Sequence, residues 1–182
     1  MATRPADRKM TLAEFLDWDD GTDTRYELID GRVLAMAPPS PRHSALTAQL
    51  ARIVGNALKP PCRVFIEAGI VTPDRPDSYL QADLAVSCRP LEQQDRDVAE
   101  PVLVIEVESP GTARHDRGVK VDRYRELASV QEILLVASQE RRVQLWRRQD
   151  GRWSVEDVIG DATLRLESCA LALPLVDLYA GL

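Results

Sequence analysis

Acidic residues interrupt two of the most strand-like stretches of this sequence, and chemistry is first legible there. In PVLVIEVESP (101–110) Glu106 and Glu108 break an apolar run, and in YLQADLAV (79–86) Asp83 does the same. Side chains alternate across an extended strand, so Leu103, Ile105 and Val107 share one face while Val104, Glu106 and Glu108 share the other. By the same rule Leu80, Ala82, Leu84 and Val86 alternate against Gln81, Asp83 and Ala85. An ionised carboxylate buried among apolar groups is costly unless a cation, hydrogen-bond donors or water meets it. One outcome is ordinary: the acids lie at the wet end of a strand and pair with arginines. The other is chemical. Asp83 and Glu106 converge from neighbouring strands, and a hard divalent cation, magnesium or manganese, relieves their repulsion through oxygen ligands.

Downstream, Asp116, Lys120 and Tyr124 recur every four residues and line one face of a predicted helix. From that face Lys120 can lean toward the acids, where an ammonium stabilises charge developing in phosphodiester cleavage. The competing outcome is a surface helix whose Asp116–Lys120 pair contributes a few tenths of a kcal/mol. Glu27 alternates with Tyr26 and Leu28 in a hairpin, where an acid ordinarily faces solvent. His43 falls in the first turn of a predicted helix as a capping or solvated residue, useful to a phosphate only if that helix points at the metal. His115 reads as a loop residue. Arg141, Arg142, Arg147, Arg148 and Arg152 make one hairpin locally basic, either to grip a nucleic-acid backbone or as a solvated sheet face.

The elements that must position these residues follow from patterning. Thr11 and Glu14 form a capping box for a short helix with Leu12, Phe15 and Leu16 inward. RYELIDGRVLAMA is a hairpin turning at Asp30-Gly31, and RRVQLWRRQDGRWSVEDVI is another turning at Asp150-Gly151, with Val143, Leu145, Trp153 and Val155 alternating against polar residues. Between Pro41 and Lys59, Leu46, Leu50, Ile53, Val54 and Ala57 recur at helical spacing. CRVFIEAGIVT, YLQADLAV, PVLVIEVE and QEILLVAS are strands; Asp116 to Ala128 is a charged helix with Val119 and Leu127 apolar. The apolar tail from Thr163 closes the core. The fold class expected is α/β (α+β), a mixed β-sheet core flanked by helices.

A chain of 182 residues with 45% hydrophobic content fits a polar tail over residues 1–10 followed by one domain over 11–182. No apolar run approaches the roughly 18 residues that span a bilayer, and the start resembles no signal peptide, so a soluble cytoplasmic protein is expected. Cys62, Cys88 and Cys169 are widely spaced and form no C-x-x-C pair, so they are expected to be buried or incidental thiols. A net charge of −6 argues against coating nucleic acid through the overall field and leaves room only for a local basic patch.

Taken together, YELIDG (26–31), PPSPRH (38–43), QADLAV, PVLVIEVESPGT and D-x-x-x-K-x-x-x-Y (116–124) resemble the Uma-type family of restriction-endonuclease-like proteins, a branch of the PD-(D/E)XK nuclease superfamily. The resemblance runs from about Thr11 to the end of the second hairpin. It implies a restriction-endonuclease-like core in which Asp83, Glu106 and the carbonyl of Val107 hold Mg2+ or Mn2+. Lys120 takes the place of the superfamily's catalytic lysine, carried on the helix after the core strand. Glu27, His43 and Tyr124 stand at metal-adjacent or substrate-positioning sites, and a homodimer is implied. Two departures stand out: Ala82 replaces the proline of the PD pair, and Glu108 stands where the usual lysine would be.

The function expected is therefore metal-dependent endonucleolytic hydrolysis of DNA phosphodiesters by Asp83, Glu106 and Lys120. The alternative is a catalytically silent nucleic-acid-binding or partner-binding module that keeps the nuclease fold. A structural domain with ordinary surface acids is the third reading.

Overall fold

The computed structural model describes residues 9–72, 75–108 and 116–182. His115, the end of the PVLVIEVESPGT stretch and most of the expected polar tail lie outside them. In chain order the elements are α1 (Leu12–Leu16), β1 (Tyr26–Ile29), β2 (Arg32–Ala35), α2 (Pro41–Ala57), β3 (Arg63–Val71), β4 (Tyr79–Ser87) and β5 (Pro101–Glu108). A π-helical turn (Asp116–Lys120) then runs into α3 (Val121–Glu126), followed by β6 (Glu132–Ala137), β7 (Arg142–Gln149), β8 (Arg152–Ile159), β9 (Thr163–Leu166), β10 (Leu171–Pro174) and α4 (Leu175–Leu178). The large sheet runs β2-β1-β4-β5-β6-β7-β8, with β3 paired to β4; β5 and β6 are parallel and the other pairs antiparallel.

Local chemistry accounts for most of these boundaries. Thr11 and Glu14 form the reciprocal capping box of α1, although only Phe15 of its apolar residues is buried. Asp30-Gly31 and Asp150-Gly151 take positive φ at both positions, 49° and 79° in the first and 50° and 74° in the second, as two-residue hairpin turns demand. Ser40 caps α2, Pro41 begins it, and Leu46, Leu50 and Val54 bury its inner stripe.

The sheet is covered on both faces. On one side α2, β9, β10 and α4 pack against Leu84, Val86, Leu103, Ile105, Val107, Leu134 and Val136; the apolar tail closes this core as expected. On the other side Val121, Tyr124 and Leu127 pack against Leu80, Ala82, Val104, Ile133 and Leu135.

Four expectations are corrected. The helix after β5 starts with a π turn, and its inward residues are Lys120, Val121 and Tyr124, while Val119 is exposed. In the second hairpin Val143 and Leu145 share their face with Val158; Trp153 and Val155 lie opposite Arg148 and Trp146 on the other face. Cys62 and Cys88 are disulfide-bonded, because the β3–β4 register that pairs Arg63 with Ser87 sets the flanking cysteines side by side. Only Cys169 remains a buried free thiol. Finally, alternation along β4 breaks at Asp83: Leu80, Ala82 and Ala85 enter one core and Leu84 and Val86 the other. Its neighbour in β3, Glu67, has a left-handed φ of 53° at the same level.

β3 also makes a close approach. A Cβ on Gly69 would lie 1.8 Å from the Tyr79 hydroxyl oxygen and 2.3 Å from Cζ. That ring packs on Phe15, with centroids 5.5 Å apart, and its hydroxyl donates to the Arg96 carbonyl at 3.3 Å. Gly69→Ala is therefore expected to lower stability by about 1–3 kcal/mol, read as a lower urea midpoint at unchanged slope. A wild-type midpoint would show that the ring moves aside freely.

Candidate active site

The site forms where β4 loses one of its neighbours. Along one edge β4 pairs with β1 at Leu28↔Tyr79, and with β5 only from Leu84↔Ile105 onward. Between these points the polar groups on that edge need other partners. Side chains provide them. The Gln81 N–H donates to Glu27 Oε1 at 2.9 Å, and the Gln81 carbonyl accepts from Lys120 Nζ at 2.9 Å. Lys120 Nζ also lies 2.9 Å from Glu27 Oε1 and 2.8 Å from Glu106 Oε1. The Tyr124 hydroxyl donates to Glu106 Oε1 at 2.6 Å. Lys120, Glu106 and Glu27 are only 3%, 3% and 5% exposed, so the cluster is a buried one.

A second group meets it from the α2 side. Asp83 Oδ2 accepts the Val107 N–H at 2.7 Å, bridging the opening between β4 and β5, and stands 3.2 Å from His43 Nε2. His43 is set by the first turn of α2, where its own N–H donates to the Ser40 hydroxyl and its carbonyl accepts from Thr47. Asp83 Oδ1 has no hydrogen-bond partner among the described residues, and its side chain is 20% exposed. Glu27, His43, Asp83, Glu106, Val107 and Lys120 all line one cavity of about 670 Å3. Tyr124 lies behind its wall, fully buried, and touches the site through Glu106.

A model of the Uma2 family, described as "Putative restriction endonuclease", matches residues 12–175. The chain belongs to the Uma2 family. An uncharacterized protein of Synechocystis sp. is 28% identical over 177 residues, spanning 96% of this chain and 93% of its own length. A second one from the same organism is 26% identical over 157 residues, spanning 84% and 89%. A crystal structure described as "a putative nuclease belonging to DUF820", from Anabaena variabilis, superposes with a TM-score of 0.74 at 24% identity, covering 94% of this chain and 98% of that one. This likeness shows the shared fold.

In this Uma2 chain the ordinary outcomes weighed for Glu27 and Lys120 are overturned: neither faces solvent, because the gap beside Gln81 draws both inward. Val107 lines the cavity and its N–H donates to Asp83. The hairpin arginines stand apart, at the opposite end of the sheet. Arg141 pairs with Asp161, Arg142 with Glu140 and Arg147 with Glu132, while Arg148 donates to the carbonyls of Arg125 and Leu127 and stacks on Trp153. Sequence reasoning missed Gln81, whose contribution is backbone, and the pair Arg25–Glu67 on the cavity wall. Neither carries a sequence signal beyond its place beside a motif.

The donor set suits a hard cation in one respect. Asp83 and Glu106 line the cavity, with Asp83 Oδ1 lacking a hydrogen-bond partner among the described residues, and magnesium is held by one or two carboxylates plus waters rather than by an all-protein cage. Among the described residues no group of three or more His, Cys, Asp or Glu has metal-holding geometry.

Removing the buried ammonium leaves two carboxylates facing each other. Lys120→Met is expected to cost about 3–5 kcal/mol in urea unfolding, and Tyr124→Phe about 1–3 kcal/mol. Unchanged or higher stability of Lys120→Met would mean that the ammonium does not hold this cluster together.

Proposed function

We propose that this protein is a divalent-metal-dependent endonuclease that hydrolyses DNA phosphodiesters, acting as a homodimer when both strands are cut. The observation that carries the reading is the convergence on one cavity of Asp83, Glu106 and Lys120, in a chain of the Uma2 family. Asp83 through its free Oδ1 and Glu106 would hold Mg2+ or Mn2+. The ion supplies positive charge that activates water and neutralises the scissile phosphate. Every other task falls to the chain itself. Lys120, fixed by Glu27 and the Gln81 carbonyl, stabilises negative charge beside Glu106. Tyr124 fixes the Glu106 carboxylate from beneath, and the Val107 N–H fixes Asp83. His43, poised against Asp83 at the cavity wall, is placed to hold or pass a proton at Nε2.

A second reading, a silent nucleic-acid-binding module, is favoured by one observation: Lys120 Nζ is already within 2.9 Å of three oxygens. Cleavage separates the two. With purified protein and supercoiled or linear DNA, the nuclease reading expects cleavage with magnesium or manganese and none with chelator. Glu106→Gln and Asp83→Asn should each reduce the rate by at least about 100-fold. Metal should also raise the wild-type melting temperature and leave that of Glu106→Gln unchanged. DNA binding with no cleavage under any of these metals would transfer the proposal to the silent module.

A further inference from the structure

The cavity has a wall that the acids do not explain. Leu34 and Ile66 are 40% and 58% exposed, large apolar side chains held in water, and both line the same recess as Asp83 and Glu106. Met36, Pro38 and Pro39 continue that wall. A patch of this kind beside a polar centre marks a binding surface. Its size is that of a small-ligand site, within the roughly 300–1,000 Å3 typical of such pockets.

Charge identifies what the wall adjoins. Among the described lining residues, Arg25 and Lys120 are the Lys or Arg side chains, and Lys120 is buried among its oxygen partners. Arg25 is the accessible cation: its side chain is 32% exposed and it pairs with Glu67, itself 52% exposed. An accessible guanidinium next to an apolar wall suits a phosphate attached to a base. Burial then restricts the form of the strand. Glu27 and Glu106 line the recess and are at most 5% exposed, so a group that reaches them has to enter it. In an intact duplex the bases are stacked inside, and bringing a nucleotide into such a recess means extruding it, a cost absent for an already unpaired strand.

We propose that the apolar wall formed by Leu34, Met36, Pro38, Pro39 and Ile66 seats an unpaired nucleobase while Arg25 meets its phosphate, so that the preferred substrate is single-stranded or locally unpaired DNA. The inference rests on the nuclease reading for the nature of the ligand and adds the state of the strand.

The test is binding of wild-type protein to oligonucleotides carrying a single 2-aminopurine, in single-stranded form, in perfect duplex, and in duplex with that base unpaired. Calcium, which fills oxygen sites with looser geometry than magnesium, is the metal, and gels confirm that the strands stay intact. The expected result is at least tenfold tighter binding of both unpaired forms than of the duplex, with a change in 2-aminopurine fluorescence. Leu34→Ser/Ile66→Ser, at two exposed positions, should abolish that preference, and Arg25→Gln should weaken the unpaired forms at least tenfold. Duplex bound equally or more tightly, a preference that survives in the double variant, or no binding of any form would each overturn the inference. The magnesium cleavage assay judges the nuclease reading separately. Cleavage without strand preference in binding leaves a nuclease lacking this base site, and preference without cleavage leaves the base site on a silent module.

Discussion

A buried ammonium in the gap between two strands is the constraint on which this structure turns. Where β4 passes from β1 to β5, a backbone N–H and carbonyl at Gln81 have no strand opposite them. Buried backbone groups must be paired, and Glu27 and Lys120 complete what the sheet leaves open. Three donors of one –NH3+ meet three oxygens, which satisfies the head group in a place where water is scarce. The ammonium stands between the carboxylates of Glu27 and Glu106, and removing one member of such a buried group is costly. The same arrangement that closes the sheet also lines the cavity.

Asp83 reaches that site through a backbone irregularity. Regular alternation would place it on one face with Gln81 and Ala85, yet the apolar neighbours on its two sides enter different cores. Glu67 at the same level of β3 takes a left-handed conformation, at a cost of roughly 1–2 kcal/mol for a residue with a Cβ. The twist at this level frees Asp83 from the face of the sheet and lets it span to the Val107 N–H and to His43 on α2. A strained position beside a polar cavity is where stability is given up for geometry.

What the sequence made legible was local. Asp30-Gly31 and Asp150-Gly151 fix their turns, Ser40 and Pro41 start α2, and alternation assigns Glu106 to the face that α3 covers. The convergence of Asp83, Glu106 and Lys120 was anticipated because separate motifs in a fixed order each supplied one residue. What stayed hidden depends on partners far away in the chain. The partners that hold Lys120 in place beside Glu106, namely Glu27 and the Gln81 carbonyl, come from other strands and depend on the gap beside Gln81. Cys62 meets Cys88 only through the β3–β4 register. The faces of the second hairpin were in principle readable: a two-residue turn pairs Gln149 with Arg152, so odd positions of β7 oppose even positions of β8, and Val158 joins Val143 while Val155 cannot.

The arginines of that hairpin show how composition misleads about affinity. Five of them in twelve residues suggest a basic grip, but Arg141, Arg142 and Arg147 meet acids and Arg148 is used on carbonyls and a tryptophan. A guanidinium held in such a contact has to leave it before it can displace counterions from a phosphate backbone, and the same holds for Arg25 in its pair with Glu67. A net charge of −6 gives the chain as a whole no field that would draw in a polyanion. The cavity instead gathers Arg25, paired with Glu67, and the carboxylates of Asp83 and Glu106 beside one apolar wall. Charge and apolar surface thus meet at the end of the sheet opposite its most basic hairpin.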